Sequence, residues 1–270
     1  MHRHRSLAVL LCAAVLSSCN WFDDVGVRDI AVPASSARIK FHNFSPSSVG
    51  VNFFANDQKL SAVLTGACGS PATAADSTSC ATTGIESVNG TAYGGVASSG
   101  LYDAIAPGQY TLAAKVAAKG DVVSTISQAI ADGKYYSFFM SGVYNTTTKT
   151  AEAFVVEDPI PAGPVDYTVA NVRLVNAVSN ATGPLTLYLT NAETKVETAI
   201  GSAVAYKSAG VFVTVPAGTY SFAARYPGSA TNVITRTGLS LLGGRVYTIT
   251  ARGSTATAST LAFDFTENQR

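Results

Sequence analysis

Charge is scarce in this chain. Only 13% of its residues are charged, and 18 Lys and Arg against 17 acids leave a formal +1. Such a balance offers no field for a polyanion, which argues against nucleic acid as a partner. Histidine occurs at His2, His4 and His42 alone, and tryptophan only at Trp21. A Ser-His-acid or Cys-His catalytic set has few histidines to draw on, and a zinc site lacks its usual ligands. There is no Gly-x-Ser-x-Gly elbow, no Gly-rich phosphate loop, no Cys-x-x-Cys and no Asp-x-Asp-x-Asp spacing. Past residue 18 no apolar run is long enough to cross a bilayer as a helix, and no helical stripe of apolar residues appears. The chain therefore reads as a noncatalytic protein with no cofactor and no metal.

What is present begins at the N-terminus. Met1-His2-Arg3-His4-Arg5 is a basic start, Leu7 to Leu16 an apolar core, and Ser17-Ser18 the small residues before a cut. These are the parts of a secretory signal peptide. Leu16-Ser17-Ser18-Cys19 resembles the bacterial lipobox, which implies cleavage after Ser18 and lipid attachment at Cys19. Residues 1–18 then form a lipoprotein signal peptide and residues 19–36 a lipidated tether. Several acyl chains anchor firmly where one is marginal, so the expected membrane contact is the N-terminal lipid. Asn20 stands where an aspartate resembles inner-membrane retention, and leans toward the outer membrane. In the tether, Trp21 is read either as an indole resting among headgroups or as chance, and Asp23-Asp24 as solvating acids. Loss of Arg3 and Arg5 with the signal peptide turns the formal +1 into −1 and leaves His42 as the sole histidine.

Of the four cysteines, Cys12 leaves with the signal peptide and Cys19 is taken by lipid. Cys68 and Cys80 remain, separated by an Ala/Ser/Thr-rich loop. In an oxidising envelope compartment this pair reads as a structural disulfide, contributing about 2–4 kcal/mol through loop closure. A redox-active pair is the rival, without a nearby basic group to lower a thiol pKa.

The chain is written twice. Ile105-Ala106-Pro107-Gly108-Gln109-Tyr110-Thr111-Leu112 answers Val215-Pro216-Ala217-Gly218-Thr219-Tyr220-Ser221-Phe222. Gly133-Lys134-Tyr135-Tyr136-Ser137-Phe138 answers Gly244-Arg245-Val246-Tyr247-Thr248-Ile249. Upstream, Ala37-Arg38-Ile39-Lys40-Phe41-His42-Asn43 answers Asn171-Val172-Arg173-Leu174-Val175-Asn176, with Arg38 set against Arg173. Three matched segments in one order imply a duplicated domain, the first copy carrying about 25 extra residues around Cys68 and Cys80. The first domain spans 37–158 with this stapled insertion, and the second 167–268. Pro159, Pro161 and Pro164 make residues 159–166 a stiff, extended linker.

Within each copy the apolar period is two. Ala37, Ile39 and Phe41 alternate with Arg38, Lys40 and His42, and Tyr220, Phe222 and Ala224 repeat the pattern. Turn positions fall at Gly108, Gly133, Gly218 and Gly244. Roughly seven short strands per copy favour an all-β chain of two tandem immunoglobulin-like antiparallel β-sandwich domains, with a small barrel as the alternative. The Val-Pro-Ala-Gly-Thr-Tyr and Gly-Arg-Val-Tyr-Thr-Ile motifs resemble the bacterial domain-of-unknown-function 4397 family. The second copy matches from Asn171 to Gly253, and the first more loosely. The resemblance implies a secreted or lipid-anchored envelope protein with tandem copies, and brings no catalytic residue with it.

Each polar candidate has a plain reading. His42 falls on the outward phase of a strand, where a solvated or hydrogen-bonded imidazole is expected. Glu157, Asp158 and Asp166 cluster at the linker, either as a calcium site or as solvated acids. Tyr93, Tyr102, Tyr135, Tyr136, Tyr144, Tyr206 and Tyr226 offer faces for sugar or protein, while Tyr110, Tyr220 and Tyr247 fall at inward positions. The functional expectation is a lipid-anchored envelope protein that binds a protein or glycan, or supports the envelope, with the Cys68–Cys80 insertion as contact surface. An envelope enzyme acting on glycan or peptide and a ligand-free spacer are the alternatives.

Overall fold

The computed structural model describes residues 37–60, 89–117 and 119–268. The expected signal peptide and tether at residues 1–36, with Cys19, and the expected Cys68–Cys80 pair lie outside them. Among the described residues no helix is long and apolar enough to cross a membrane.

The first half is built from β1 (Ala37–Asn43), β2 (Val51–Ala55), β3 (Gln58–Lys59), β4 (Gly95–Val96), β5 (Asp103–Ile105), β6 (Gly108–Val116), β7 (Val122–Ile130), β8 (Tyr135–Asn145) and β9 (Thr150–Glu157). The second half follows with β10 (Val169–Ser179), β11 (Leu185–Asn191), β12 (Glu197–Val204), β13 (Ser208–Ala209), β14 (Val213–Pro216), β15 (Gly218–Arg225), β16 (Ile234–Leu241), β17 (Val246–Ser254) and β18 (Thr257–Glu267). The strands beyond the expected number are mostly short. Two residues, as in β3, β4 and β13, are too few to show an alternating pattern.

Four sheets result. In the first half they run β4-β1-β8-β9, with β5 also on β1, and β3-β2-β6-β7. In the second half they run β13-β10-β17-β18, with β14 on β10, and β12-β11-β15-β16. Both halves thus share one strand order, and the fold is all-β with sheets packed as sandwiches. Pairing is antiparallel except between β1 and β8 and between β10 and β17, which run parallel. Those partners are joined by a crossover through the opposite sheet, which a parallel pair requires and a hairpin cannot supply.

Each sandwich closes over its own core. Phe41, Phe53, Leu112 and Phe138 fill the first; Leu174, Leu187, Phe222 and Ile249 fill the second. A third cluster, Phe44, Phe139, Phe154, Val175 and Ala177, belongs to both halves. It lies where the β1-β8-β9 sheet packs face to face on the β10-β17-β18 sheet, so the chain stacks four sheets deep. The two middle sheets are covered on both faces. Outward phase on β1 or β10 therefore means the other sandwich rather than water.

This corrects the expectation for His42, which is 1% exposed. It also corrects the register of the repeat. Tyr136 and Tyr247 are equivalent, since each hydroxyl accepts the N–H of the residue five before it, Ala131 at 3.1 Å and Leu242 at 3.2 Å. Tyr136 lies opposite Ile39 and Tyr247 opposite Val172. Lys40, not Arg38, is then the counterpart of Arg173, and the extra length of the first copy shortens by two residues. Asn43 and Asn176 agree with this register. Asn43 Nδ2 donates to Thr91 O at 2.8 Å and Asn176 Nδ2 to Val204 O at 2.9 Å, while each Oδ1 accepts the N–H two residues on.

Candidate functional site

The densest cluster of polar side chains lies at the junction of the two sandwiches. Lys40, His42 and Arg173 are each 1% exposed and Asp158 2%. β1 and β10 carry the cations into the junction on the faces turned away from their own cores. The last residues of β9 and β18 and those directly after them supply the acceptors. Lys40 Nζ donates to Glu267 O at 3.2 Å and to Asn268 Oδ1 at 3.4 Å. Arg173 reaches the other way, donating to Glu157 O at 3.0 Å and forming an ion pair with Asp158 Oδ1.

The two sets are related by the repeat. Glu157 faces Tyr136 and Glu267 faces Tyr247, so Asp158 and Asn268 are counterparts. The Asp158 Oδ2 accepts from Ser137 Oγ at 2.7 Å, and Thr248 Oγ1 accepts from Asn268 Nδ2 at 2.7 Å. Lys40 sits 4.2 Å over the Tyr102 ring and Arg173 4.7 Å over that of Phe212, the residues just before β5 and β14. Tyr93 and Tyr206, three residues before the strand partners of His42 and Val175, also cross. Tyr93 donates to Thr260 O at 2.5 Å and Tyr206 to Glu152 Oε2 at 2.7 Å. Equivalent residues of the two halves thus reach across in both directions, as in an isologous dimer contact, although the groups they meet are not all the same.

Electrostatics follow from burial. Two cations share one buried carboxylate. Desolvation pulls the Lys40 ammonium down to about 8, with Asp158 opposing and Arg173 adding to the fall. Tyr102 is raised by burial and by the Asp158 carboxylate that accepts its proton at 2.7 Å. His42 stacks on Phe139 at 4.3 Å and lies 5.1 Å from the Phe44 ring. Neither ring nitrogen has a hydrogen-bond partner among the described residues. Burial, with Lys40 and Arg173 adding, holds the imidazole well below 6.5. Lys40, Arg173 and Asp158 are bonded across the junction and shut from solvent, so what they do here is hold two sheets together.

The linker acids do not converge. Asp158 is committed to Arg173, Tyr102 and Ser137, which corrects its reading as a calcium ligand or solvated acid. Glu157 pairs with Lys134 at 2.9 Å on the surface, and Asp166 accepts the Thr168 N–H at 2.8 Å. Among the described residues no group of three His, Cys, Asp or Glu is placed to hold a metal. Several of the candidate tyrosines are also engaged: Tyr93, Tyr102 and Tyr206 in the junction, and Tyr136 in its core. Tyr220 and Tyr247 are buried as expected, Tyr220 donating to Pro216 O at 2.8 Å.

An open cleft of about 380 Å³ separates the free flanks of β12 and β14 in the second sandwich. Leu189, Val196, Ile200, Val213, Val215 and Tyr220 give it a mainly apolar lining. Sequence reasoning found neither this cleft nor the roles of Lys40, Asp158 and Arg173. The signal for the latter was a basic residue repeated on the outward phase of the same strand, misread by a shift of two.

Fold and junction together define a tandem β-sandwich protein. Residues 170–270 match the family described as "Domain of unknown function (DUF4397)". Comparison with curated protein sequences gives no match. Among solved structures, the chain is similar to the Bacillus anthracis TIE protein at 13% identity and a TM-score of 0.24, covering 82% of this chain and 34% of that one. It is similar also to CBMbc (family CBM26) from Eubacterium rectale Amy13K, solved in complex with maltoheptaose, at 8% identity and a TM-score of 0.22, covering 87% and 97%. The chain spans about a third of the length of the first of these.

Proposed function

We propose that this chain is a lipid-anchored, noncatalytic protein of the bacterial outer membrane, made of two copies of one domain and binding an envelope protein or glycan. The observation that carries the reading is the junction. Lys40, Asp158 and Arg173, buried ionisable residues suited to chemistry, are spent on joining the sandwiches, and His42 is buried beside them with its ring stacked on Phe139. A body fixed in this way suits display or support more than turnover. Contact surfaces are then the stapled segment around Cys68 and Cys80 and the apolar cleft of the second sandwich. Cys19 carries the lipid and the tether holds the body off the bilayer.

The test is metabolic labelling with a fatty-acid analogue, read beside membrane fractionation, for wild type and Cys19→Ala. Label and membrane association that vanish together in Cys19→Ala support the reading. A wild-type chain that is unlabelled and soluble overturns it.

A further inference from the structure

The two halves meet through equivalent residues, yet the apolar part of the contact is not symmetric. Phe139 lies opposite His42 in its sheet as Thr250 lies opposite Val175, so Phe139 and Thr250 are counterparts. By the same registers Phe154 corresponds to Asp264 and Phe44 to Ala177. The first sandwich therefore brings three phenylalanines, and the second meets them with Val175, Ala177 and Ala209. Two first sandwiches placed in the same geometry set Phe139 and Phe154 against His42 and Phe44 of the other, where there is room only for Val and Ala. Two second sandwiches leave Thr250 and Asp264 facing Val175 and Ala177 across a gap, with no phenylalanine to fill it and Asp264 still paired to Arg252 of its own sandwich. The carbonyl acceptors of Lys40 and Arg173 are equivalent in the two halves, so side-chain volume, with the single Arg173–Asp158 ion pair, decides the pairing. Building clashes and gaps against the wrong partner is how specificity is set in such contacts.

We infer that the junction is a self-sufficient, heterospecific docking surface: the first sandwich binds the second without help from the linker, and neither binds a copy of itself. The fully buried ion pair and the Phe139 cluster supply the anchors expected at the centre of such a surface, with Tyr93 and Tyr206 at its margins. This holds whether or not Cys19 is acylated.

The test uses the whole chain carrying Cys19→Ala, with a protease site inserted after Gly163 in the linker and cut only after folding. Native mass spectrometry and gel filtration at micromolar concentration are then expected to show one complex with one copy of each half. Separated halves after cutting overturn self-sufficiency. Dilution and reconcentration of the cut protein is expected to return first–second pairs alone; like-with-like pairs in comparable amount overturn the selectivity. Val175→Phe fills the space that Phe139 occupies and is expected to separate the cut halves while each keeps its β-sheet circular dichroism. Should Val175→Phe fail to fold, Arg173→Met serves, weakening the cut pair roughly 100-fold by leaving Asp158 unpaired. An unchanged affinity in Arg173→Met contradicts the inference.

Discussion

Lys40 and Arg173 hold the same place in their two sandwiches, and each crosses the junction to the backbone carbonyl that the other half presents there. Lys40 takes Glu267 O and Arg173 takes Glu157 O. What lies beyond the carbonyl differs. Arg173 finds a carboxylate in Asp158, whereas Lys40 finds the amide of Asn268. The junction therefore buries two cations with one anion, and burial draws the Lys40 ammonium down to about 8.

That asymmetry sets the first expectation. Arg173→Met leaves the Asp158 carboxylate buried without its cation and is expected to cost about 3–5 kcal/mol. Lys40→Met removes a cation that was poorly compensated, and is expected to change stability by less than about 1.5 kcal/mol. Urea unfolding followed by circular dichroism compares the two. Equal losses contradict the division of roles.

Acid is expected to weaken the fold through His42. Folding holds this imidazole below its ordinary 6.5, so the unfolded chain takes up the proton first. The contribution is whole above pH 6.5 and drains as the pH falls below it, by at most about 1.4 kcal/mol per pH unit. The charged groups facing His42 are Lys40 on its own strand and Arg173 on β10, and both oppose a further positive charge. His42→Phe keeps a ring to stack on Phe139 and removes the titration. Its stability is expected to fall less steeply than wild type between pH 6.5 and 5.

The Cys68–Cys80 pair is expected to be oxidised in protein taken from the envelope. Iodoacetamide then adds to neither thiol until a reductant is supplied, and mass spectrometry of the tryptic digest reads the difference. Two alkylated cysteines without reduction contradict a structural disulfide.

Gly243 and Gly100 separate close approach from backbone conformation. A Cβ on Gly243 meets the Tyr167 carbonyl at 1.7 Å, so Gly243→Ala forces the start of the second sandwich to move and is expected to cost about 1–3 kcal/mol. Gly100 has φ +80 with nothing within 4 Å, and Gly100→Ala carries only the left-handed penalty of about 1–2 kcal/mol. Crystallographic shifts near Tyr167 in the first variant, and none near Gly100 in the second, distinguish the two causes.

Much of the architecture was legible because period two is local. The inward residues Ile39, Phe41, Leu112 and Phe222 lie in cores as their alternation implied, and Gly133 and Gly244 take positive φ at their turns. The junction was not legible for a reason equally physical. Alternation tells one face of a sheet from the other but not what covers the second face. His42 reads as solvated or hydrogen-bonded because outward residues usually are, and nothing local to β1 or β10 reveals a sheet packed against the outward face that carries Lys40, His42 and Arg173. The parallel pairing of β1 with β8 is hidden likewise, since register between distant strands leaves no short-range trace. Asp158, next to Pro159, reads as linker by composition although its partner Arg173 lies only fifteen residues on.

The most direct test of this account is an NMR titration of the imidazole in protein lacking residues 1–18, where His42 is the only histidine. A ring stacked on Phe139 between two sheets is expected to stay neutral well below pH 6.5, with carbon-bound protons shifted by the neighbouring ring and slow exchange of its N–H. An imidazole that titrates near 6.5 with ordinary shifts would place His42 in water, and the two sandwiches would then not be joined across β1 and β10.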